Sequence, residues 1–308
     1  MSYEGKMLKE LNMPPREEVE RALLIALFKH NGVIKEFGSG EEIVDEIADN
    51  FKLNNDQRTA YLKTIYRKEN RVKKSLLWHR LLFRAADDLA KNKLVSRPTQ
   101  TLKLTNNREW MLTESGFDKA LQLMNFPTEK KDLLTIKSYE VQKIVKRLNE
   151  TTRPENYNPV DQKKRYAKTT IETTLRARGF RQAIIEAYDY KCAVCGLKIC
   201  SPDSLTWEVE AAHIVPHQFM GKDDIWNGLA LCRLHHWSFD VGWFTLLDGY
   251  KIQLSSKINS LPLNFGKIGD YEILKLTLNH SRILLPNQMG KYPHFNAINW
   301  HRQNIFNQ

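Results

Sequence analysis

The sequence predicts an α+β protein of two domains: an N-terminal domain in the element order of a winged helix, then a zinc-stapled module of short strands and a helix. Three observations predict it. Apolar residues recur at helical spacing to about residue 92 and then give way to two short β-type runs. Two residue pairs with metal-ligand spacing lie between residues 192 and 235. At 308 residues the chain is also longer than one average domain.

Composition narrows the class. Hydrophobic residues make up 42% and charged residues 27%, with 14 Gly and 11 Pro, which excludes disordered and fibrous classes. The opening stretch MSYEGKMLKELNMPP has no apolar core, and no apolar run approaches the roughly 18–20 residues a bilayer requires. A cytoplasmic protein with no membrane partner is therefore expected. In a reducing compartment, 4 cysteines including a Cys-x-x-Cys pair point to metal or redox work rather than to disulfides. The net charge of +11 favours partners with phosphate backbones. It is unevenly spread. Residues 1–50 hold 6 Lys/Arg against 11 Asp/Glu, residues 52–97 hold 13 against 4, and residues 137–181 hold 12 against 5. The two basic tracts read either as nucleic-acid contacts or as solvated helix faces.

Along the chain, REEVERALLIALFKH (16–30) places Val19, Ala22, Leu23, Ala26 and Leu27 on one helical face, and Asn31-Gly32 suits a C-terminal cap. Ser39-Gly40-Glu41-Glu42 opens a short second helix. A third helix, about 71–92, turns Val72, Leu76, Trp78, Leu81, Leu82, Ala85, Ala86 and Leu89 inward and leaves Lys73, Lys74, Arg80 and Arg84 outside. Two β-type runs, 93–97 and 110–113, flank a polar loop, and a helix follows Ser115-Gly116. Helix, helix, basic helix and hairpin is the winged-helix order, and a small helical protein–protein module is the alternative. Residues 1–125 form this first domain, 126–170 read as a basic linker with one helix near 137–149, and 171–308 form the second domain.

The wording RVKKSLLWHRLLFRAADDLAKNKLV followed by REWMLTESG resembles the N-terminal domain of Mrr-type restriction proteins, over about residues 16–125. The resemblance implies a DNA reader. Lys73, Lys74, Arg80 and Arg84 would then contact DNA from the basic helix, and Arg97 and Lys103 would reach phosphates from the wing.

In the second domain, Cys192-x-x-Cys195 and Cys232-x-x-His235, with 36 residues between them, offer three thiolates and one imidazole, which suits a structural tetrahedral zinc. Cys200 lies near enough to offer an alternative ligand. A second set lies between and just after these pairs: His213 in EAAHIVP, Asn227 in WNGLALC and His236 in LHHWSFD, at intervals of 14 and 9 residues. With Pro216 three residues after the first His and Asn227 five before Cys232, these intervals match the HNH motif of ββα-metal nucleases. The surrounding GFRQAIIEAYDYKCAVCG, NGLALCRLHHWSFDVGWFTL and the tail ILLPNQMGKYPHFNAINWHRQNIF (283–306) resemble bacterial HNH restriction endonucleases over about residues 176–308.

That resemblance implies His213 as general base, Asn227 as the residue that orients its loop or touches the metal, and His236 as ligand of a divalent cation, Mg2+ or Mn2+. Many such enzymes carry a metal-binding Asp or His directly before the base, where this chain has Ala212. Glu210 shares that strand face and is the substitute ligand, with His217 and Asp240 as further candidates. The combined expectation is a restriction-type endonuclease acting on double-stranded DNA as a homodimer and, by analogy with Mrr-type proteins, dependent on methylated adenine or cytosine. The alternatives are an enzyme for unmodified sites guarded by a partner methyltransferase, a non-catalytic DNA-binding regulator, and an RNA-targeting or nicking nuclease.

Overall fold

The computed structural model describes residues 3–37, 42–66, 71–161, 170–259, 271–278 and 281–306, with side chains left out at 64–66, 71–73, 128–130, 170–172, 258–259 and 271–273. The chain divides into two units, Met1–Lys143 and Ile144–Gln308. Among the described residues no helix is long and apolar enough to cross a membrane.

The first unit opens with α1 (Tyr3–Glu10) and α2 (Arg16–Lys29). Glu17 and Glu18 sit in the first turn of α2, where the helix dipole favours them, and Val19, Leu23, Leu24, Ala26, Leu27 and Phe28 are buried. The helix ends as its sequence suggests: Asn31 and Gly32 turn left-handed, and the Gly32 N–H donates back to the Leu27 carbonyl at 2.7 Å. A Cβ on Gly32 would lie 2.0 Å from the Lys137 carbonyl oxygen, so both its φ of +83° and the close approach require glycine.

After β1 (Val33–Lys35) come α3 (Glu42–Asn50) and α4 (Asn55–Thr59). The cap expected at Ser39–Glu41 lies outside the described residues. The third helix differs from expectation at its start. Residues Arg71–Leu76 form a strand, β3, paired antiparallel with β2 (Tyr61–Tyr66), and only Leu77–Lys91 are helical, as α5. The reason is the partner: Tyr61, Leu62, Thr64, Ile65 and Tyr66 are strong strand formers, and cross-strand pairing outweighs the weak helical preference of RVKKSL. The rest of the helix packs as its apolar stripe demands, burying Trp78, Leu81, Leu82, Ala85, Ala86 and Leu89, while the Trp78 indole N–H donates to the Val44 carbonyl at 3.0 Å.

β4 (Val95–Ser96) and β5 (Glu109–Leu112) flank a helix, α6 (Pro98–Thr105), where a polar loop was expected. Pro98 takes the first helical position, which needs no N–H, and Gln100 accepts from the Arg97 N–H at 2.9 Å. The strands form an antiparallel sheet in the order β1-β5-β4, followed by α7 (Glu114–Leu123). The stretch read as a linker holds α8 (Tyr139–Glu150), and Leu134, Ile136, Val141, Val145, Leu148 and Tyr157 in it are buried.

The second unit is organised around a hairpin and a helix. α9 (Thr170–Ala187) leads to β6 (Val209–His213), which pairs antiparallel with β7 (Gly228–Cys232), from Val209 opposite Cys232 to His213 opposite Gly228. α10 (Arg233–Asp240) follows without a break. α9 lies close on the hairpin, since a Cβ on Gly228 would fall 2.3 Å from Ile184 Cδ1. Beyond it come the hairpin β8 (Phe244–Leu246) and β9 (Ile252–Leu254), then α11 (Tyr271–Leu278) and α12 (Phe295–His301). The tail is tied down by backbone bonds, Leu284 N–H to the Ala193 carbonyl at 2.7 Å and His294 N–H to the Trp226 carbonyl at 2.9 Å.

His301 shows how dry this packing is. Its ring stacks on Phe239 at 3.7 Å, Nε2 donates to the Phe239 carbonyl at 3.0 Å, and Nδ1 accepts from the Thr245 hydroxyl at 3.0 Å. Burial pushes its pKa down to about 4, against an ordinary 6.5. The unfolded chain therefore takes up this proton first, so the group's contribution is complete above about pH 6.5 and is lost as the pH falls towards 4, by up to about 3 kcal/mol. Unfolding free energies measured by denaturant between pH 7 and 4 should fall less steeply in His301→Gln than in the unaltered protein.

Candidate metal and catalytic site

The two cysteine-containing pairs meet because the hairpin brings them together. Cys192 and Cys195 occupy the turn after α9, where Gly196 at φ +73° returns its N–H to the Cys192 carbonyl at 2.9 Å. The Ala193 N–H donates to Ala230 of β7 at 2.7 Å, which seats that turn against the strand. Cys232 ends β7 and His235 lies in the first turn of α10. The four ligand atoms all lie within 4.8 Å of one another. His235 Nδ1 is 3.5 Å from Cys192 Sγ and 3.1 Å from Cys232 Sγ, and the sulfurs of Cys195 and Cys232 are 4.0 Å apart. A tetrahedral zinc, with bonds of about 2.3 Å to sulfur and about 2.0 Å to nitrogen, needs neighbouring ligands roughly 3.5–3.8 Å apart, so the donor set fits. Cys200 stands outside the cluster, bridged to Trp207.

Protonation within the cluster is in conflict. Hydrogen bonding from Cys195 holds the Cys192 thiol far below its usual range, whereas Cys192 in turn pushes the Cys232 thiol far above it. His235 loses charge to burial but gains more from Cys192 and Cys195, and its pKa rises to about 9. A dication allows all three thiols to ionise and His235 to be neutral.

The other group of polar side chains lies on β6 and α10. Glu210 Oε2 is 2.9 Å from His236 Nδ1, and His236 Nε2 is 3.4 Å from Asp240 Oδ2, one helical turn on. Arg233 Nε lies 3.5 Å from Glu210 Oε1. The hydrogen bond with His236 holds the Glu210 carboxyl below its usual range. Burial works against charge on His236, but Glu210 and Asp240 outweigh it and raise its pKa. Burial raises the Asp240 carboxyl, partly offset by His236. The two carboxylates therefore face opposite nitrogens of the His236 ring, so only Glu210 shares the Nδ1 side with it, and Ala212 beside them is buried.

His213 ends β6 with its ring stacked on Phe180 at 4.0 Å and 15°. Its Nε2 is 3.1 Å from Asp223 Oδ1, and His217 Nε2 is 2.9 Å from the same oxygen. Asn227 is fully buried. Its Oδ1 accepts from the Val215 N–H at 2.9 Å, and its Nδ2 donates to the carbonyls of Val215 and Lys222 at 3.1 and 2.9 Å. A buried amide bonded in this way fixes the loop that follows His213.

A ββα unit therefore carries His213, Asn227 and His236 beside a cluster whose donors could hold a metal. Residues 192–247 match a family model described as HNH endonuclease. Both cysteine-containing pairs and Glu210, His213, Asn227, His236 and Asp240 fall inside this HNH segment. Among solved structures, the chain is similar to one described as "Modification dependent TagI restriction endonuclease", at 21% identity and a TM-score of 0.28, the match covering 41% of this chain and 37% of that one. No curated protein matches.

Sequence reasoning missed Asp223 and Phe180 as neighbours of His213. Asp223 sits in GKDDIWNG, where a second acid beside it and no fixed interval to His213 leave nothing to mark it. His217, a candidate partner of His236, lies instead against His213, with ring centroids 4.2 Å apart.

The residues expected to meet DNA are placed differently from expectation. Lys74 is on β3 with its ammonium 5.1 Å from the Tyr61 ring centre, and Lys73 is on the same strand with its side chain outside those described. Arg80 and Arg84 remain on α5, but both pair with Glu4, at 3.0 and 2.6 Å. Arg97 pairs with Asp87 at 2.7 Å, and Lys103 lies on α6.

Cys232→Ser should release one equivalent of tightly bound divalent metal per chain, measured by elemental analysis after dialysis. Because the metal's binding energy is also folding energy, the Tm should fall by roughly 10 °C or more.

Proposed function

We propose that this chain is a metal-dependent endonuclease that hydrolyses phosphodiester bonds of double-stranded DNA, with His213 as general base. The observation that carries the reading is the ββα unit: Glu210 and His213 on one strand, and His236 on the helix within 2.9 Å of Glu210, all inside the segment that matches HNH endonucleases.

An imidazole whose Nε2–H donates to Asp223 carries its lone pair on Nδ1, and that atom takes the proton from the attacking water. Phe180 holds the ring plane, and Asn227 fixes the loop behind it. A divalent cation, Mg2+ or Mn2+, supplies Lewis-acid stabilisation of the charge that develops on the phosphate and the leaving oxygen. His236, through Nδ1, and Glu210 would hold it, with Asp240 steadying the ring from Nε2, so Glu210 stands in for the ligand absent at Ala212. The metal of Cys192, Cys195, Cys232 and His235 is then structural zinc, since four protein ligands leave no position for water.

The N-terminal unit is proposed to read DNA as a winged helix. The element order supports this, with β1 between α2 and α3, β4 and β5 after α5, and the three strands in one sheet β1-β5-β4, as does the count of 13 Lys/Arg against 4 Asp/Glu in residues 52–97. Dependence on a methylated base, as in Mrr-type proteins, is the finer part of the proposal. One active site cuts one strand, so cleavage of both strands calls for two copies on the DNA.

With Mg2+ or Mn2+ the protein should cut plasmid from a methylating host and spare unmethylated plasmid, and His213→Ala should slow cleavage about 100-fold or more. Failure to cut either plasmid with any divalent metal, with binding retained, would establish a DNA-binding regulator instead. In the same assay Glu210→Gln should raise the metal concentration needed for half-maximal rate roughly 10-fold or more.

A further inference from the structure

Among the described residues two groups bring His, Cys, Asp and Glu ligand atoms within 4.8 Å of one another. One is the three-cysteine cluster. The other is His213, His217 and Asp223, and neither the structural metal nor the Glu210–His236 pair accounts for it.

Two imidazoles here aim the same atom, Nε2, at one carboxylate oxygen, at 3.1 and 2.9 Å. A cation with bonds of about 2.0–2.2 Å needs ligand atoms roughly 2.9–3.5 Å apart, so both spacings to Asp223 suit coordination, and the third lies within 4.8 Å. The loop that carries the three residues is rigid. Asn227 bonds Val215 and Lys222 on either side of it, and a Cβ on Gly221 would lie 1.7 Å from the Val215 carbonyl oxygen. Asp223 has only 8% of its side chain exposed, and its second oxygen is 3.6 Å from Arg176. His217 has 46% of its side chain exposed, so the cluster opens to solvent on that side. Two imidazoles and one carboxylate favour borderline cations such as zinc over Mg2+, which takes oxygen ligands.

We propose that His213, His217 and Asp223 form a second, inhibitory site for a borderline divalent cation, with zinc the first choice, and that filling it removes His213 from use as a base. Ligation through Nε2 uses that nitrogen's lone pair, so the ring proton must sit on Nδ1. Nδ1 then has no lone pair to take a proton from water. The inhibitory part rests on the function proposed above, whereas the binding part does not.

The test uses the full chain and has two readouts. In the first, unaltered protein and His217→Ala are equilibrated with the same free Zn2+ and their bound zinc is measured. The variant should hold one equivalent fewer, with the three-cysteine site filled in both. His217→Gln serves as a second variant, and thermal unfolding checks that each is folded. Equal zinc content in all three would overturn the proposal. In the second readout, cleavage with Mg2+ is followed as Zn2+ is added, each protein being referred to its own zinc-free rate. Unaltered protein should lose at least 10-fold, and His217→Ala should lose less than 2-fold at the same zinc concentration. Equal inhibition of both would place the inhibiting zinc elsewhere and overturn the inhibitory role. If the unaltered protein cuts no DNA with any metal, the nuclease reading fails, and the binding readout still decides whether the site exists.

Discussion

Three sulfurs and one imidazole nitrogen meet within 4.8 Å where β7 runs into α10, and the arrangement of the ββα unit turns on that junction. The unit is small. Its strands have five residues each and its helix eight, too few for a helix to persist in water by its own hydrogen bonds. Cys232 joins strand to helix, and His235 lies one turn inside. A metal held by these two and by the turn after α9 would fix the angle at which α10 leaves β7. That angle sets where His236 falls relative to Glu210 on the neighbouring strand. The Glu210–His236 contact would thus depend on a crosslink that lies outside it.

Local packing does the rest. β7 is wholly buried, and α9 approaches so closely at Gly228 that no side chain would fit there. The loop after His213 is closed by one asparagine whose three hydrogen bonds all go to backbone. A side chain spent in that way is a positioning group, and the motif's invitation to read Asn227 as a metal ligand weakens accordingly.

In the N-terminal unit the charge account changes once partners are known. Arg80 and Arg84 share Glu4, and Arg97 holds Asp87, so much of the basic tract is balanced within the fold. Arg97 and Asp87 are both exposed, so their pair contributes little to stability and a phosphate can compete for the guanidinium, whereas Glu4 is largely covered by the two arginines it pairs with. Basic excess in the sequence therefore describes capacity for DNA contact better than it identifies the contacting residues.

The sequence alone determined what depends on short intervals. Cys-x-x-Cys and Cys-x-x-His fix a bite, alternation puts Glu210 on the strand face of Ala212, and the apolar stripe of 77–91 and the Asn31-Gly32 cap follow from local geometry. Tertiary structure decided whatever depended on a distant partner. Arg71–Leu76 became a strand because Tyr61–Tyr66 was there to pair with it. Asp223 came to face both His213 and His217 only when the loop closed on Asn227, and Arg84 found Glu4 across 80 residues of chain. Whether such partners meet, near in sequence or 80 residues apart, depends on the packing of the whole unit, so the pattern of either segment alone does not announce it.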